Sequence, residues 1–471
     1  MKFAASLFVL LLLSQCSAFA QSAVTVIVDP KSPGAAIPGD YCGLSFGTIV
    51  LKKGTHGYLF DTTNTQMLTL FRQLGIKHLR IGGTAVDTNK SGFEPGKQDV
   101  DALFRFAKAA GVNVVYSLRL ENGDTAYDAS MATYVWDNYR KYLDCFAIGN
   151  EPDIYRGGDP EISGYPSYHG KWKRFAEATL RSVPAAKLGG PDATSNSPWE
   201  TNFARDEAGS GYVTSIFAHY YVGGGSDKKT GQQLIDEMLS PSWPASNYPD
   251  RLKVTGVTAS QLGLAYRFTE ANSYYGNGVV GGSNSFATAL FSLDFLHWWA
   301  AHGCRGIDLH CTMARLNTTI YAGQKGDYQI FPIGYGVSAF GIGGRGNSFP
   351  VETINGDSLN LTCYATGGVG NMYVTVVNKE HSAGARDANV SISAAGLPRY
   401  AAVIYLNSLN GESGPSSEVR LGGATINNHG TFEGRWERIS DAATGQITVN
   451  VPAMSAAIVR FSEQPGTAET R

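Results

Sequence analysis

The sequence predicts a two-part chain of the α/β plus β class, a (β/α)8 TIM barrel followed by a C-terminal antiparallel β-sandwich. Three observations lead to it. Between about Tyr41 and Leu309, short apolar runs alternate with loops and helix-like stretches, the pattern of a parallel sheet with crossover helices. Eight such runs can be counted, the number that closes this kind of barrel. After about Gly341 the texture changes to short segments of alternating polarity separated by Gly, Asn and Ser, as in a sandwich.

At the start of the chain, Lys2 precedes the apolar run Phe3 to Leu13 and then Ser17-Ala18-Phe19-Ala20. The run is too short to span a bilayer comfortably, and the small residues Ala18 and Ala20 predict cleavage before Gln21. Residues 1–20 are therefore expected to be a signal peptide and the mature chain to be secreted, extracellular or periplasmic. No later stretch reads as a membrane span, since even Ser285 to Trp299 is interrupted by Asp294 and His297. Residues 21–35 contain the alternating segment Ala23–Asp29, which is expected to pair into the sandwich. Residues 36–340 are expected to form the barrel and residues 341–471 the sandwich.

The barrel strands are expected at Tyr41–Thr48, His78–Gly82, Asn113–Leu118, Cys145–Gly149, Lys187–Gly190, Ser215–Tyr221, Gly263–Glu270 and Gly306–Leu309. Apolar residues recurring at three and four spacings predict helices over Thr65–Leu74, Val100–Ala110, Met131–Tyr142, Gly170–Arg181 and Ser285–His302. The Gly, Ser and Pro-rich stretch Gly223–Pro249 reads as an insertion over one face of the barrel. Sandwich strands are expected at Asn371–Asn378, Val390–Ser393, Ala401–Asn407, Gln446–Val451 and Ala456–Phe461.

Composition narrows the function. Lys plus Arg number 38 against 40 Asp plus Glu, so no basic excess advertises nucleic acid, and any anion recognition must be local. Short basic clusters do occur, such as Lys52-Lys53 and Lys171-Lys173-Arg174. Cys42, Cys145, Cys304, Cys311 and Cys363 form an odd set without a close CxxC pair, which argues against structural zinc and for buried core thiols.

The sharpest chemical feature is Ala147-Ile148-Gly149-Asn150-Glu151-Pro152-Asp153, a buried-strand signal that ends abruptly in an amide and a carboxylate. In a (β/α)8 fold the active site is built at the C-terminal ends of the strands, and this is the fourth. A second strand signal, Tyr266-Arg267-Phe268-Thr269-Glu270, also runs into a carboxylate, on the seventh. Two glutamates facing each other across the mouth form the carboxylate pair that glycoside hydrolysis needs, one acid/base and one nucleophile. Taken singly, Glu151 could be a helix-capping acid and Glu270 a salt-bridged surface acid.

This arrangement resembles the clan A retaining glycosidases. More narrowly, Leu79-Arg80-Ile81-Gly82-Gly83-Thr84, Gly149-Asn150-Glu151-Pro152, His219-Tyr220-Tyr221 and Glu270 followed by Tyr274-Tyr275-Gly276 are similar to segments of glycoside hydrolase family 79, which contains heparanase and exo-acting β-glucuronidases. The resemblance implies that Glu151 is the acid/base, Glu270 the nucleophile, Asn150 the partner of the sugar's 2-hydroxyl, and Tyr221 a hydrogen-bond donor to the nucleophile. It also implies site roles for His219 and for His310 at the end of strand eight. Tyr275 and Gly276 match the segment that holds the uronic carboxylate through a phenol and backbone amides.

The implied activity is release of β-linked glucuronic acid from a glucuronic-acid-containing glycan or glycoconjugate, with no cofactor and no metal. One departure stands out. Members of that family place an acidic residue near the end of strand one to hold sugar hydroxyls, whereas this chain has Ser45-Phe46-Gly47-Thr48 and no carboxylate between Asp40 and Asp61. Recognition of the sugar's 4-position is therefore expected to differ, either supplied from another loop or left open for a substituent, a methyl group or a further sugar. Two other readings stay open: a clan A β-xylosidase or arabinofuranosidase with the same two glutamates, and a non-catalytic carbohydrate-binding barrel. The sequence assigns no oligomeric state.

Overall fold

Strands buried on both faces read as near-continuous apolar runs, and eight of them close on each other here. The computed structural model describes residues 22–87, 93–155, 158–194, 197–224, 228–323, 327–368, 370–394, 396, 400–439 and 446–463. The expected leader, residues 1–20, lies outside the described residues, as do residues 225–227 of the expected insertion. The barrel strands, in order, are Cys42–Gly47, His78–Gly82, Asn113–Leu118, Leu143–Ile148, Leu188–Ala193, Val213–Gly223, Ala265–Tyr274 and Ile307–His310. All pair in parallel, and strand eight returns to strand one with Leu309 opposite Leu44.

The helix expected at Thr65–Leu74 spans those residues, held by the Asn64 side chain accepting from Met67 N at its start and by Gly75 in the left-handed region at its end. The stretch Gly223–Pro249 is more regular than its composition implied. It contains a helix at Gly231–Met238, capped by Thr230, and contributes most of a second at Ser242–Leu252. The Pro and Ser residues that read as loop signals occupy helix ends and solvent faces. Among the described residues no helix is long and apolar enough to cross a membrane.

The sandwich consists of two sheets. One has the order Val351–Asn355, Ser22–Val28, Ala388–Ala394, Gln446–Val451; the other is built around Tyr400–Ser408, Ser455–Ser462, Asn371–Asn378 and Leu361–Gly368. The N-terminal strand pairs antiparallel with Val351–Asn355 and parallel with Ala388–Ala394, so the sandwich is not wholly antiparallel. No hairpin joins this strand to its neighbours, and nothing in the connection forces an antiparallel partner. Val24, Val26 and Val28 face the sandwich core with Val390, Ile392, Val449 and Val451.

Strands six and seven run beyond the ends expected for them, because Tyr221 and Asn272, then Gly223 and Tyr274, remain paired above the barrel rim. Glu270 thus lies inside strand seven rather than at its end. The register slips beside it, from Ala218 opposite Phe268 to His219 opposite Glu270. In a regular strand successive side chains point to opposite faces, and a bulge can place two neighbours on the same one. Thr269 bonds Asp192 and Glu270 bonds Arg80, both within the barrel. The bulge turns both side chains inward.

The barrel interior is polar at two levels. At the N-terminal end, Asp308 takes bonds from Arg267 Nη1 at 3.1 Å and sits 2.7 Å from His78 Nδ1. Barrel and sandwich meet over the helix Ala287–Ala301, where buried Asp294 accepts from Lys379 Nζ at 2.7 Å and from the hydroxyls of Thr362 and Tyr364. Removing one partner of a buried pair leaves an uncompensated charge. Lys379→Met is expected to cost about 3–5 kcal/mol of stability, measured by chemical denaturation. A loss below about 1 kcal/mol, the size of a surface pair, would show that this contact does not hold the two parts together.

Candidate active site

The site begins with a strained turn. Strand four ends at Ile148, and Gly149 follows at φ 86°, where an added Cβ would come within 2.8 Å of the Tyr155 hydroxyl. Only glycine meets both demands. Glu151 itself is left-handed at φ 50°, its amide bonded to Asp192 O at 2.8 Å, and Pro152–Ile154 continue as a single 3-10 turn. Asp87 pins this exit by accepting from Asn150 N at 2.6 Å, Leu120 N at 2.9 Å, Glu121 N at 3.0 Å and the Tyr155 hydroxyl. Glu151 is thereby held at the mouth, partly open to solvent.

Opposite it, Glu270 is buried. Tyr221 donates to its Oε1 at 2.7 Å and Arg80 Nη1 to its Oε2 at 3.0 Å. A carboxylate oxygen of Glu151 and one of Glu270 lie within 4.8 Å of each other. Burial opposes ionisation of Glu270, but the positive charges of His310 when protonated, His219 and Arg80, with the Tyr221 hydroxyl, hold its pKa below the ordinary carboxylate value. His310 stays neutral at neutral pH because burial depresses its own pKa, so Arg80 and His219 supply the charge there. Burial and the adjacent Glu270 push the Tyr221 phenol up, which keeps it a donor.

Beneath the pair, Arg80 is fully buried and forks between partners. Nη1 also reaches Ser45 Oγ at 3.2 Å, while Nη2 donates to Asn150 Oδ1 at 2.7 Å and to Asp192. His219 lies with Nδ1 3.0 Å from Glu151 Oε1 and Nε2 3.2 Å from Asp192 Oδ1. Burial disfavours its charged form, but Glu270 and Asp192, aided by hydrogen bonds to Asp192 and Glu151, raise its pKa to about 10. The ring is an imidazolium donating at both nitrogens. Glu151, His219 and Glu270 offer three donor atoms within 4.8 Å of one another, yet a metal requires a neutral imidazole lone pair. The donor set favours a proton over a cation.

Glu151, Glu270, Asn150, His219 and Tyr221 therefore converge. His310 joins them, with Nδ1 3.6 Å from Glu270 Oε2 and Nε2 3.0 Å from Thr312 Oγ1. Tyr275 and Gly276 lie higher, on the rim. Tyr275 is 56% exposed and meets the Tyr221 ring edge-on at 5.9 Å. Gly276, at φ 92°, is exposed, and its carbonyl accepts from Arg315 Nη1 at 3.2 Å.

Sequence reasoning missed three residues here. Arg80 had a signal, a lone charge inside the apolar strand His-Leu-Arg-Ile-Gly. Asp192 obeys the same strand-end carboxylate rule as Glu151, but Gly189-Gly190-Pro191 weakened the strand signal before it. Arg315 sits in a loop with no pattern to mark it.

The eight-stranded parallel barrel thus carries the carboxylate pair above strands four and seven, with a β-sandwich beside it. Solved structures agree on the fold. The chain is similar to a 4-O-α-L-rhamnosyl-β-D-glucuronidase from Fusarium oxysporum, solved with Rha-GlcA, at 16% identity over 93% of this chain and 99% of that one, with a TM-score of 0.73. It is also similar to a family 51 arabinofuranosidase from Xanthomonas axonopodis pv. citri, at 13% identity over 94% and 100% of the two chains, TM-score 0.69. A third is an α-L-arabinofuranosidase from Thermotoga maritima, at 14% identity over 93% and 100%, TM-score 0.66. No protein-family model matches the chain, and no curated protein does.

The charge network has a pH signature. The folded pKa of His219, about 10, lies above its ordinary 6.5. Its charge therefore contributes stability that is fully present below pH 6.5 and lost as pH rises through about 10. By NMR the ring should remain an imidazolium between about pH 5 and 8, the range in which an unperturbed histidine titrates. In Asp192→Asn, which removes one of the carboxylates that raise it, the ring should lose its proton at lower pH. A wild-type ring that titrates near 6.5 would contradict the assignment.

Proposed function

We propose that the chain is an exported, retaining glycoside hydrolase that removes β-linked glucuronic acid, plain or 4-O-methylated, from glycans or glycoconjugates. The observation that carries this reading is the carboxylate pair, with oxygens of Glu151 and Glu270 within 4.8 Å. Retaining glycosidases hold their carboxyl groups about 5–5.5 Å apart, and inverting ones about 6.5–9.5 Å, leaving room for a water. The short spacing supports direct attack by one carboxylate.

Glu270, held ionised, attacks the anomeric carbon while the bond to the leaving oxygen breaks and Glu151 gives that oxygen its proton. In the second step Glu151 takes a proton from water, the water oxygen attacks the same carbon, and Glu270 is released as carboxylate. Asn150 turns its oxygen to Arg80, which leaves its amide nitrogen for the sugar's 2-hydroxyl. The buried charges suit both states. Before attack, Arg80 and His219 balance Asp192 and Glu270, with Glu151 protonated. After attack Glu270 is an ester and Glu151 is the carboxylate, so the balance is unchanged and no net charge develops in the low-dielectric floor.

The Tyr275 phenol, the Gly276 amide and the nearby Arg315 guanidinium offer a carboxylate two hydrogen-bond donors and a cation on the rim. The glucuronidase named in the first similar structure favours a uronide, and the arabinofuranosidases favour a pentofuranoside as the second reading; both would use the same two glutamates. A carbohydrate-binding barrel without catalysis has no need of an ionised, doubly hydrogen-bonded Glu270.

A panel of aryl β-glucuronide, β-xyloside and α-arabinofuranoside separates the readings. The glucuronide should be the best substrate, and preference for the arabinofuranoside would establish the second reading instead. Tyr275→Phe should reduce glucuronide turnover by roughly tenfold, the equivalent of one charge-assisted hydrogen bond, and leave the weak glucoside activity unchanged. Glu270→Ala should be inactive and regain turnover with azide, giving a product of opposite anomeric configuration. Rescue with retained configuration would exchange the roles of the two glutamates.

A further inference from the structure

The donors assigned to the uronic carboxylate come from two different loops. Tyr275 and Gly276 follow strand seven, and Arg315 lies in the loop after strand eight. All three are exposed on the rim, where a loop moves unless something buried ties it down. The bond from Arg315 Nη1 to Gly276 O, at 3.2 Å, joins exposed groups only. The tie lies underneath, in two asparagines that take no part in the proposed chemistry.

Asn272, on strand seven just past Glu270, is 1% exposed, and Asn317, in the loop after strand eight, 5%. Asn272 uses both hydrogens of its amide nitrogen, on His310 O at 2.9 Å and on Asn317 O at 2.6 Å, while its oxygen accepts from Ser273 N at 2.7 Å. Asn317 Nδ2 returns the link, donating to Tyr274 O at 2.6 Å. Leu316 N adds a backbone bond to Asn277 O at 3.1 Å. The bonded carbonyls, of Tyr274 and Asn277, bracket Tyr275 and Gly276, and their donors directly follow Arg315. Beside them Gly278 holds φ 79°, and an added Cβ there would come within 3.0 Å of Leu316 Cβ. An amide suits the position: it is uncharged, so its burial costs little once it is bonded, and its nitrogen serves two carbonyl oxygens. In sequence, Asn317-Thr318-Thr319 is a glycan-acceptor pattern, but in the fold the Asn317 amide is taken up by Tyr274.

We propose that Asn317, seated on Asn272, is a positioning residue for uronate recognition. It sets the distance between the Tyr275 and Gly276 donors and the Arg315 guanidinium without touching the sugar. Without it the two loops part, and the carboxylate no longer meets all its donors in one geometry. The two glutamates keep their own bonds to Tyr221, Arg80 and His219, so the reacting groups stay in place. The proposal rests on the uronide reading above.

The test compares an aryl β-glucuronide with the aryl β-glucoside in wild type, Asn317→Ala, Asn317→Asp, Tyr275→Phe and the double variant Asn317→Ala, Tyr275→Phe. Each is assayed at a temperature where far-UV circular dichroism shows it folded. Asn317→Ala should raise KM and lower kcat/KM about tenfold for the glucuronide, and change the glucoside by less than about twofold. Asn317→Asp, which sets a negative oxygen against the Tyr274 carbonyl, should show the same selective loss. In the double variant the two losses should fall short of additivity, because Asn317 acts through the placement of the tyrosine. Equal losses on both substrates in the folded Asn317 variants, unchanged kinetics on both, or full additivity in the double variant each overturn the proposal and leave the uronide reading standing. A wild type without preference for the glucuronide overturns that reading and the proposal with it.

Discussion

The Arg80 guanidinium is the interaction on which the rest of the site depends. It is fully buried on strand two and donates to Glu270, Asn150, Asp192 and Ser45, which come from strands seven, four, five and one. A buried cation is costly unless its donors are met and its charge is opposed. Arg80 has its charge opposed and both terminal nitrogens met, though not Nε, by drawing partners from across the barrel, and in doing so it fixes where the Glu270 carboxylate points. Arginine suits the position because its planar fork can serve several acceptors at once, which an ammonium of one point charge cannot.

Asp192 extends this control to the other glutamate. Through one carboxylate it faces both Arg80 and His219, and His219 in turn meets Glu151. Two cations, Arg80 and His219, and two anions, Asp192 and Glu270, lie below the mouth. In the proposed mechanism, moving negative charge from Glu270 to Glu151 keeps the sum constant, which is the condition a buried site needs to pass through both halves of a double displacement without reorganising.

Much of this was legible in the sequence, for physical reasons. The helix Thr65–Leu74 has apolar spacing and end signals that agree, and Asn371–Asn378 is a Val-rich run, buried on both faces, between glycine-bearing turns. Glu151 stood out because an apolar run broke at glycine, amide and acid. What stayed hidden depends on pairing between distant segments. The bulge beside Glu270 arises from a register slip against strand six, and the parallel docking of Ser22–Val28 depends on a strand more than three hundred residues away. Asp192 was obscured by Gly189-Gly190-Pro191, whose low strand propensity is overridden by the barrel on either side. The helices within Gly223–Pro249 were hidden because proline and serine at a helix's start or on its solvent face, Pro249 among them, look the same in sequence as proline and serine in loops.

The central claim is that Glu270 becomes covalently bonded to the sugar. The most direct measurement is incubation with a 2-deoxy-2-fluoro-β-glucuronyl fluoride, whose fluorine slows the second step more than its good leaving group slows the first, followed by proteolysis and mass mapping. The account predicts one added glycosyl unit on the peptide containing Glu270 and none on the peptide containing Glu151. An unlabelled protein that still hydrolyses the reagent, with product of inverted configuration, would contradict it.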